Sequence, residues 1–208
     1  MKHAGLALFI EPQGSLRETL GERKRWLEKN MPGQAYCSHP PHCTLLFSSY
    51  DPATAWLEKL RTTVATLPNF EMETTAWLEF PNDALAGGGH TVAYRSPLSS
   101  SLATLQMTVA HVLAPFRPLG QPPHPLAQIE PFAGSLQKYG FPFVGTHWIP
   151  HFTIGSPKVA AHSPLLVQLM SGPATHRFSV RSISLWRVDD DHHERLHELA
   201  LADNPTHR

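Results

Sequence analysis

The chain repeats itself once: Pro41-His42-Cys43-Thr44-Leu45 returns as Pro150-His151-Phe152-Thr153-Ile154. A bare His-x-Thr is weak, because a chain with 14 histidines yields roughly one copy by chance. Requiring the proline before and the apolar residue after lowers the expectation to about 0.04 copies, so the pair constrains the fold. On a strand, residues i and i+2 share a face, roughly 7 Å apart along the chain. His42 and Thr44 then project together while Cys43 and Leu45 turn toward a core. His151 and Thr153 project together likewise, with Phe152 and Ile154 reversed. A fold that sets the two strands across a cleft gathers two imidazoles and two hydroxyls in one small volume.

The remaining chain reads as strands and helices in sequence. Gly5–Ile10 is a compact apolar run, a first strand buried on both faces. Leu16, Leu20 and Leu27 mark the inner face of a helix whose other positions are mostly Arg, Lys and Glu. A loop over 31–41 leads to a strand at 43–47. Asp51-Pro52 sets an N-cap before a proline at the first helical position, and Leu57, Leu60, Val64 and Leu67 carry that helix to Pro68. Strands are expected at 70–80 and 91–95, with a flexible turn at Gly87, Gly88 and Gly89 between them. Ser99 to Ser101 can cap the next helix, with its stripe at Leu102, Leu105, Val109, Val112 and Phe116. From about 115 to 147 the chain is proline-dense and irregular, with one short helix at Phe132–Tyr139. A strand at 149–154, a short helix opened by Ser163-Pro164 and ending at Gly172, and a hairpin of 178–188 and 194–201 complete the chain. This order predicts an α+β fold: one bilobal domain over 1–208, with two small, mainly antiparallel sheets facing a central cleft and helices on the outer faces.

Composition narrows the partners. Lys+Arg and Asp+Glu number 17 each, which leaves no basic stripe to grip long nucleic acid through many phosphates. A small nucleotide or an RNA end stays open as partner. The two cysteines, Cys37 and Cys43, are too few for a disulfide framework and fit a reducing compartment. The apolar run from Ala4 to Ile10 is too short to cross a membrane, and no cleavage site follows it. A cytoplasmic location without a membrane partner is expected.

The chemistry of the doubled motif suits a phosphodiester. One imidazole can take a proton from the attacking group while the other gives one to the leaving oxygen, since histidine titrates near neutral pH. That division of labour predicts a bell-shaped pH profile, one histidine starting neutral and the other protonated. The hydroxyls of Thr44 and Thr153 can donate to the non-bridging phosphate oxygens. At these residues the sequence resembles the two-histidine (2H) phosphoesterase superfamily, which includes RNA 2′-5′ ligase-like proteins and cyclic phosphodiesterases. His42-Cys43-Thr44-Leu45 and His151-Phe152-Thr153-Ile154 both match its His-x-Thr/Ser-x hallmark in full. The resemblance implies a metal-independent enzyme of bilobal fold that needs no cofactor, with His42 and His151 catalytic and Thr44 and Thr153 on the phosphate. The segment from about 115 to 147 departs from the family pattern.

Rival readings attach to other residues. The proline-rich segment reads as a lid over the cleft or as a solvated insertion, and Tyr139 within it as a base-stacking ring or a packing residue. Arg95 and Arg187 lie on strands and could meet a phosphate. The histidines and aspartates of 189–197 could bind a metal in a metal-dependent hydrolase, although a charged hairpin turn explains them more simply. Cys43 faces away from the cleft and is not expected to be a nucleophile. The doubled motif would also suit a non-catalytic module that holds a phosphorylated ligand or RNA end, or an enzyme acting on a non-nucleotide phosphoester.

Overall fold

A computed structural model describes residues 5–50, 55–117, 124–189 and 192–203. Nine strands are described: β1 (Gly5–Ile10), β2 (Cys43–Ser48), β3 (Phe70–Thr74), β4 (Ala76–Asp83), β5 (Gly89–Arg95), β6 (His151–Gly155), β7 (His176–Val180), β8 (Ser182–Asp189) and β9 (His192–Ala200). They interleave with helices α1 (Gly14–Asn30), α2 (Trp56–Val64), α3 (Ser100–Leu113), α4 (Phe132–Tyr139) and α5 (Pro164–Leu169). The fold is α+β, as expected. One sheet has the order β2-β1-β8-β9, a second the order β4-β5-β6, and β3 pairs β7 in a two-stranded ribbon; every named pair is antiparallel.

The ribbon corrects two expectations. The stretch 70–80 is two strands: after Thr74 the chain leaves β7, and the Thr75 amide donates to the Arg95 carbonyl as β4 takes up pairing with β5. The expected strand at 178–188 likewise breaks at Arg181, between β7 in the ribbon and β8 in the four-stranded sheet. Each half of the ribbon thus continues into a different sheet, and the ribbon links them. Alternation of apolar residues runs through the first break, so periodicity alone reads 70–80 as one strand, whereas at Arg181 it changes phase, from Phe178 and Val180 to Ile183 and Leu185.

The helices cross over. α1, which follows β1 of the four-stranded sheet, packs against β6 of the three-stranded sheet and against β7. α3, which follows β5 of the three-stranded sheet, packs against β2 and α2. Leu16, Leu20 and Leu27 of α1 and Leu102, Leu105 and Val109 of α3 are buried among Cys43, Leu45, Phe152 and Ile154. The residues of both motifs that turn away from the imidazoles therefore sit in a continuous core, as their alternation required. The Ser99 hydroxyl caps α3 by accepting from the Leu102 amide at 3.3 Å, and Ser163 does the same for α5. The Asp51-Pro52 start of α2 lies outside the described residues.

The described part of the proline-rich segment docks on α3. The Gln106 side chain donates to the Phe143 carbonyl at 2.8 Å and accepts from the Gly145 amide at 3.0 Å. A buried amide that satisfies both backbone groups holds the returning chain in place. The described portion is thus a packed connection that delivers Trp148 to the second motif.

Candidate active site

β2 and β6 are the edge strands of their sheets, and they meet. The Trp148 indole Nε1 donates to the Thr44 carbonyl at 3.0 Å. The His151 backbone amide donates toward the Cys43 thiol, which is fully buried, and burial pushes that thiol up to about 12. Cys43 is therefore a protonated tie between the two motifs.

The two motifs share a second, quieter likeness. In the β1–β2 pairing the register steps from Leu8–Leu46 to Phe9–Thr44, leaving Leu45 unpaired. In the β5–β6 pairing it steps from Val92–Gly155 to Ala93–Thr153, leaving Ile154 unpaired. Both strands thus carry a one-residue bulge at the apolar fourth position of the motif, and both bulged side chains are buried. A bulge bends its strand and re-aims the neighbouring side chains, so the threonines of both motifs leave their strands in the same local setting.

The histidines are held alike. His42 Nδ1 lies 2.6 Å from the Pro40 carbonyl, and His151 Nδ1 lies 2.7 Å from the Ile149 carbonyl. A carbonyl only accepts, so Nδ1 carries the hydrogen in each ring, and Nε2 is the nitrogen left to act. Each imidazole also has a phenylalanine neighbour: Phe9 stacks on His42 with ring centroids 3.8 Å apart, and Phe80 meets His151 edge-on at 5.3 Å. His39 and His193 lie beyond His42, their ring centroids 6.5 and 6.3 Å from it.

Burial holds both imidazoles below the ordinary histidine range. His42 is lowered to about 3, mainly by desolvation, with Lys24, His39 and His193 adding repulsion against the bond to Pro40. His151 is lowered by desolvation, partly offset by the Ile149 carbonyl and by Asp83. Both are neutral at pH 7 in the unliganded protein. Desolvation thus favours the neutral form of both rings in the unliganded protein.

Arg95 lies directly opposite His151 in the β5–β6 register, so both side chains stand on one face. It is exposed, and no carboxylate pairs with it among the described residues. Arg187 is engaged by Glu194 at 2.7 Å. Tyr139 is a correction to the stacking reading: it is 6% exposed, with its hydroxyl 3.3 Å from His111 Nε2. A ring this buried has little face to offer a base, and Tyr139 packs in the core. Of the 189–197 segment, His197 pairs with Leu185 on β9, whereas His193 approaches His39, ring centroids 4.2 Å apart. Among the described residues no group of three His, Cys, Asp or Glu side chains is arranged to hold a metal ion.

Several of these residues escaped the sequence reading. Nothing in the sequence marks Phe9, Phe80 or Trp148 as neighbours of the motifs. Lys24 carried a readable signal: it falls on the buried stripe Leu16, Leu20, Lys24, Leu27, four residues after a leucine and three before one.

The comparisons with known proteins bear on the family and the fold. The family model of the 2′-5′ RNA ligase superfamily matches residues 12–192. No curated protein sequence matches the chain. Among solved structures, TT0787 of Thermus thermophilus is 16% identical, with a TM-score of 0.62 over 96% of this chain and 99% of that one. Escherichia coli LigT complexed with NADP+ is 16% identical, with a TM-score of 0.57 over 97% and 99%, and LigT complexed with 3′-AMP is 16% identical, with a TM-score of 0.54 over the same shares. At such identity these show a shared fold. The family match spans most of the chain and includes both His-x-Thr motifs, so the chain belongs to the 2′-5′ RNA ligase superfamily of two-histidine phosphoesterases, which supports a phosphoesterase-type activity.

Proposed function

We propose that the chain cleaves a cyclic, 2′,3′-type, or 2′-5′-linked phosphodiester of a nucleotide or RNA end, without a metal, by proton transfer through His42 and His151. The observation that carries this reading is the matched pair of Nδ1–carbonyl bonds, which leaves one Nε2 per motif as an acid or base. The complex of LigT with 3′-AMP, a protein of similar fold, agrees with a nucleotide phosphate as ligand.

The diester anion enters between the motifs and raises the pKa of both imidazoles, giving one of them the proton that burial withholds from the free protein. The neutral imidazole takes a proton from water through Nε2 as the oxygen attacks phosphorus. The protonated imidazole gives its proton to the departing ribose oxygen, and one P–O bond forms as another breaks. Thr44 and Thr153 donate to the non-bridging oxygens as their charge grows, and Arg95 supplies the fixed positive charge beside His151. Two imidazoles, two hydroxyls and one arginine match the single charge of a diester better than the higher charge of a monoester.

Kinetics with a 2′,3′-cyclic nucleotide and the matched nucleoside monophosphate test the reading. Turnover of the cyclic diester with little hydrolysis of the monoester is expected. Faster hydrolysis of the monoester contradicts the mechanism, and binding of both without turnover assigns the site to a binding module.

A further inference from the structure

Within the apolar stripe of α1, Lys24 is 7% exposed. Its Nζ donates to the Tyr36 carbonyl at 2.5 Å, and no carboxylate pairs with it among the described residues. An uncompensated buried ammonium costs several kcal/mol after relaxation, so the fold has no reason of its own to place one here. The carbonyl it holds belongs to Tyr36, a non-glycine residue in the left-handed region at φ 68°. That conformation is uncommon for a bulky residue and persists only where surroundings enforce it. The Tyr36 ring meets His39 edge-on at 5.4 Å, and His39 in turn lies beside His42. Lys24 thus sits behind the loop that presents the first motif, and its charge is felt at His42.

We propose that Lys24 is a positioning residue of the phosphate site, holding the loop from Tyr36 to His42 through the Tyr36 carbonyl and supplying a buried positive charge behind the bound anion. The proposal rests on the two-histidine reading and adds a group that touches neither substrate nor reacting atoms.

Lys24 also has a pH window of its own. Desolvation lowers it to about 8, with Cys37 acting weakly the other way. The groups around it are pushed away from that value. His42 is lowered to about 3 and His151 is also lowered, while Tyr36 is raised to about 12, and Cys37, which also feels Glu28, is raised. Lys24, at about 8, titrates inside the range pH 7 to 9.5, and a Lys24→Met variant that keeps a fall with pH assigns that fall to another group such as Cys37.

Sulfate keeps a constant charge over this range and serves as the probe. Titration calorimetry of sulfate at pH 7 and pH 9.5, on the wild type and on Lys24→Met, tests the proposal. The wild type is expected to lose about tenfold in affinity between the two pH values, the scale of one partly buried charge. Lys24→Met should bind about tenfold more weakly at pH 7, show no fall with pH, and melt no lower than the wild type. Flat wild-type affinity, or no measurable sulfate binding at pH 7, overturns the proposal even if the variant does not fold. A variant that keeps the fall with pH, or only melts lower, makes Lys24 a structural residue and also overturns it. His42→Ala assayed on the cyclic nucleotide separates the two readings: retained turnover sinks the histidine mechanism, whereas the sulfate titration still reads Lys24.

Discussion

Acid should unfold this protein partly through His42. Replacing His42 by Asn keeps a side-chain N–H in reach of the Pro40 carbonyl while removing the titrating ring. The imidazole titrates at 6.5 in the unfolded chain and at about 3 in the folded one. The folded value is the lower, so the unfolded state takes up the proton first as pH falls. Stability is therefore lost progressively below pH 6.5, down to about 3. At pH 5 the unfolded ring is almost fully charged and the folded ring is neutral, which costs about 2 kcal/mol. That figure depends little on how far below 5 the folded value lies. Urea unfolding of the wild type and His42→Asn at pH 7 and pH 5 measures it, because the histidines away from His42 contribute alike to both proteins. The wild type should lose about 2 kcal/mol more than the variant between the two pH values. Equal losses in both proteins would refute the claim that burial keeps His42 neutral.

Two further outcomes follow from the same contacts. Thr44→Ala and Thr153→Ala should each lower kcat by about 10–10³, at or below the worth of an oxyanion donor; steady-state kinetics showing no loss in either removes the hydroxyls from the phosphate. Gly155→Ala would place a methyl 2.6 Å from Leu27 Cδ2 and 3.0 Å from Cys37 Sγ, with Leu27 fully buried, and overpacking of this kind costs about 1–3 kcal/mol. Denaturation of that variant at wild-type stability contradicts the tight seat of α1 on β6.

The doubled motif was legible because its information is local. Alternation on a strand places Cys43, Leu45, Phe152 and Ile154 in the core whatever the rest of the chain does, and all four are buried. Caps such as Ser99 and Ser163 were legible for the same reason, since each hydroxyl serves an amide three residues on. The break at Thr75 was not, because it is a change of pairing partner with no change of periodicity, whereas the break at Arg181 carries a readable shift of phase from Phe178 and Val180 to Ile183 and Leu185. In the proline-rich segment the short helix at Phe132–Tyr139 was legible, but its seat was not. Gln106 pins it to α3 from 37 residues away, measured to Phe143, a contact no local pattern reports. Phe9 and Phe80 reach their histidines only through tertiary packing. Lys24 was readable in principle, as a charge standing where the helical stripe called for a leucine.

The two histidines acting as one unit is the claim on which the mechanism turns. The most direct measurement is kcat/KM on a 2′,3′-cyclic nucleotide for His42→Ala, His151→Ala and the double variant, with circular dichroism confirming the fold. Each single variant should lose about 10²–10⁴, the usual worth of one general acid or base. The double variant should fall well short of the product of the two losses, because groups that act together are not additive. A double variant with wild-type activity would contradict the account outright.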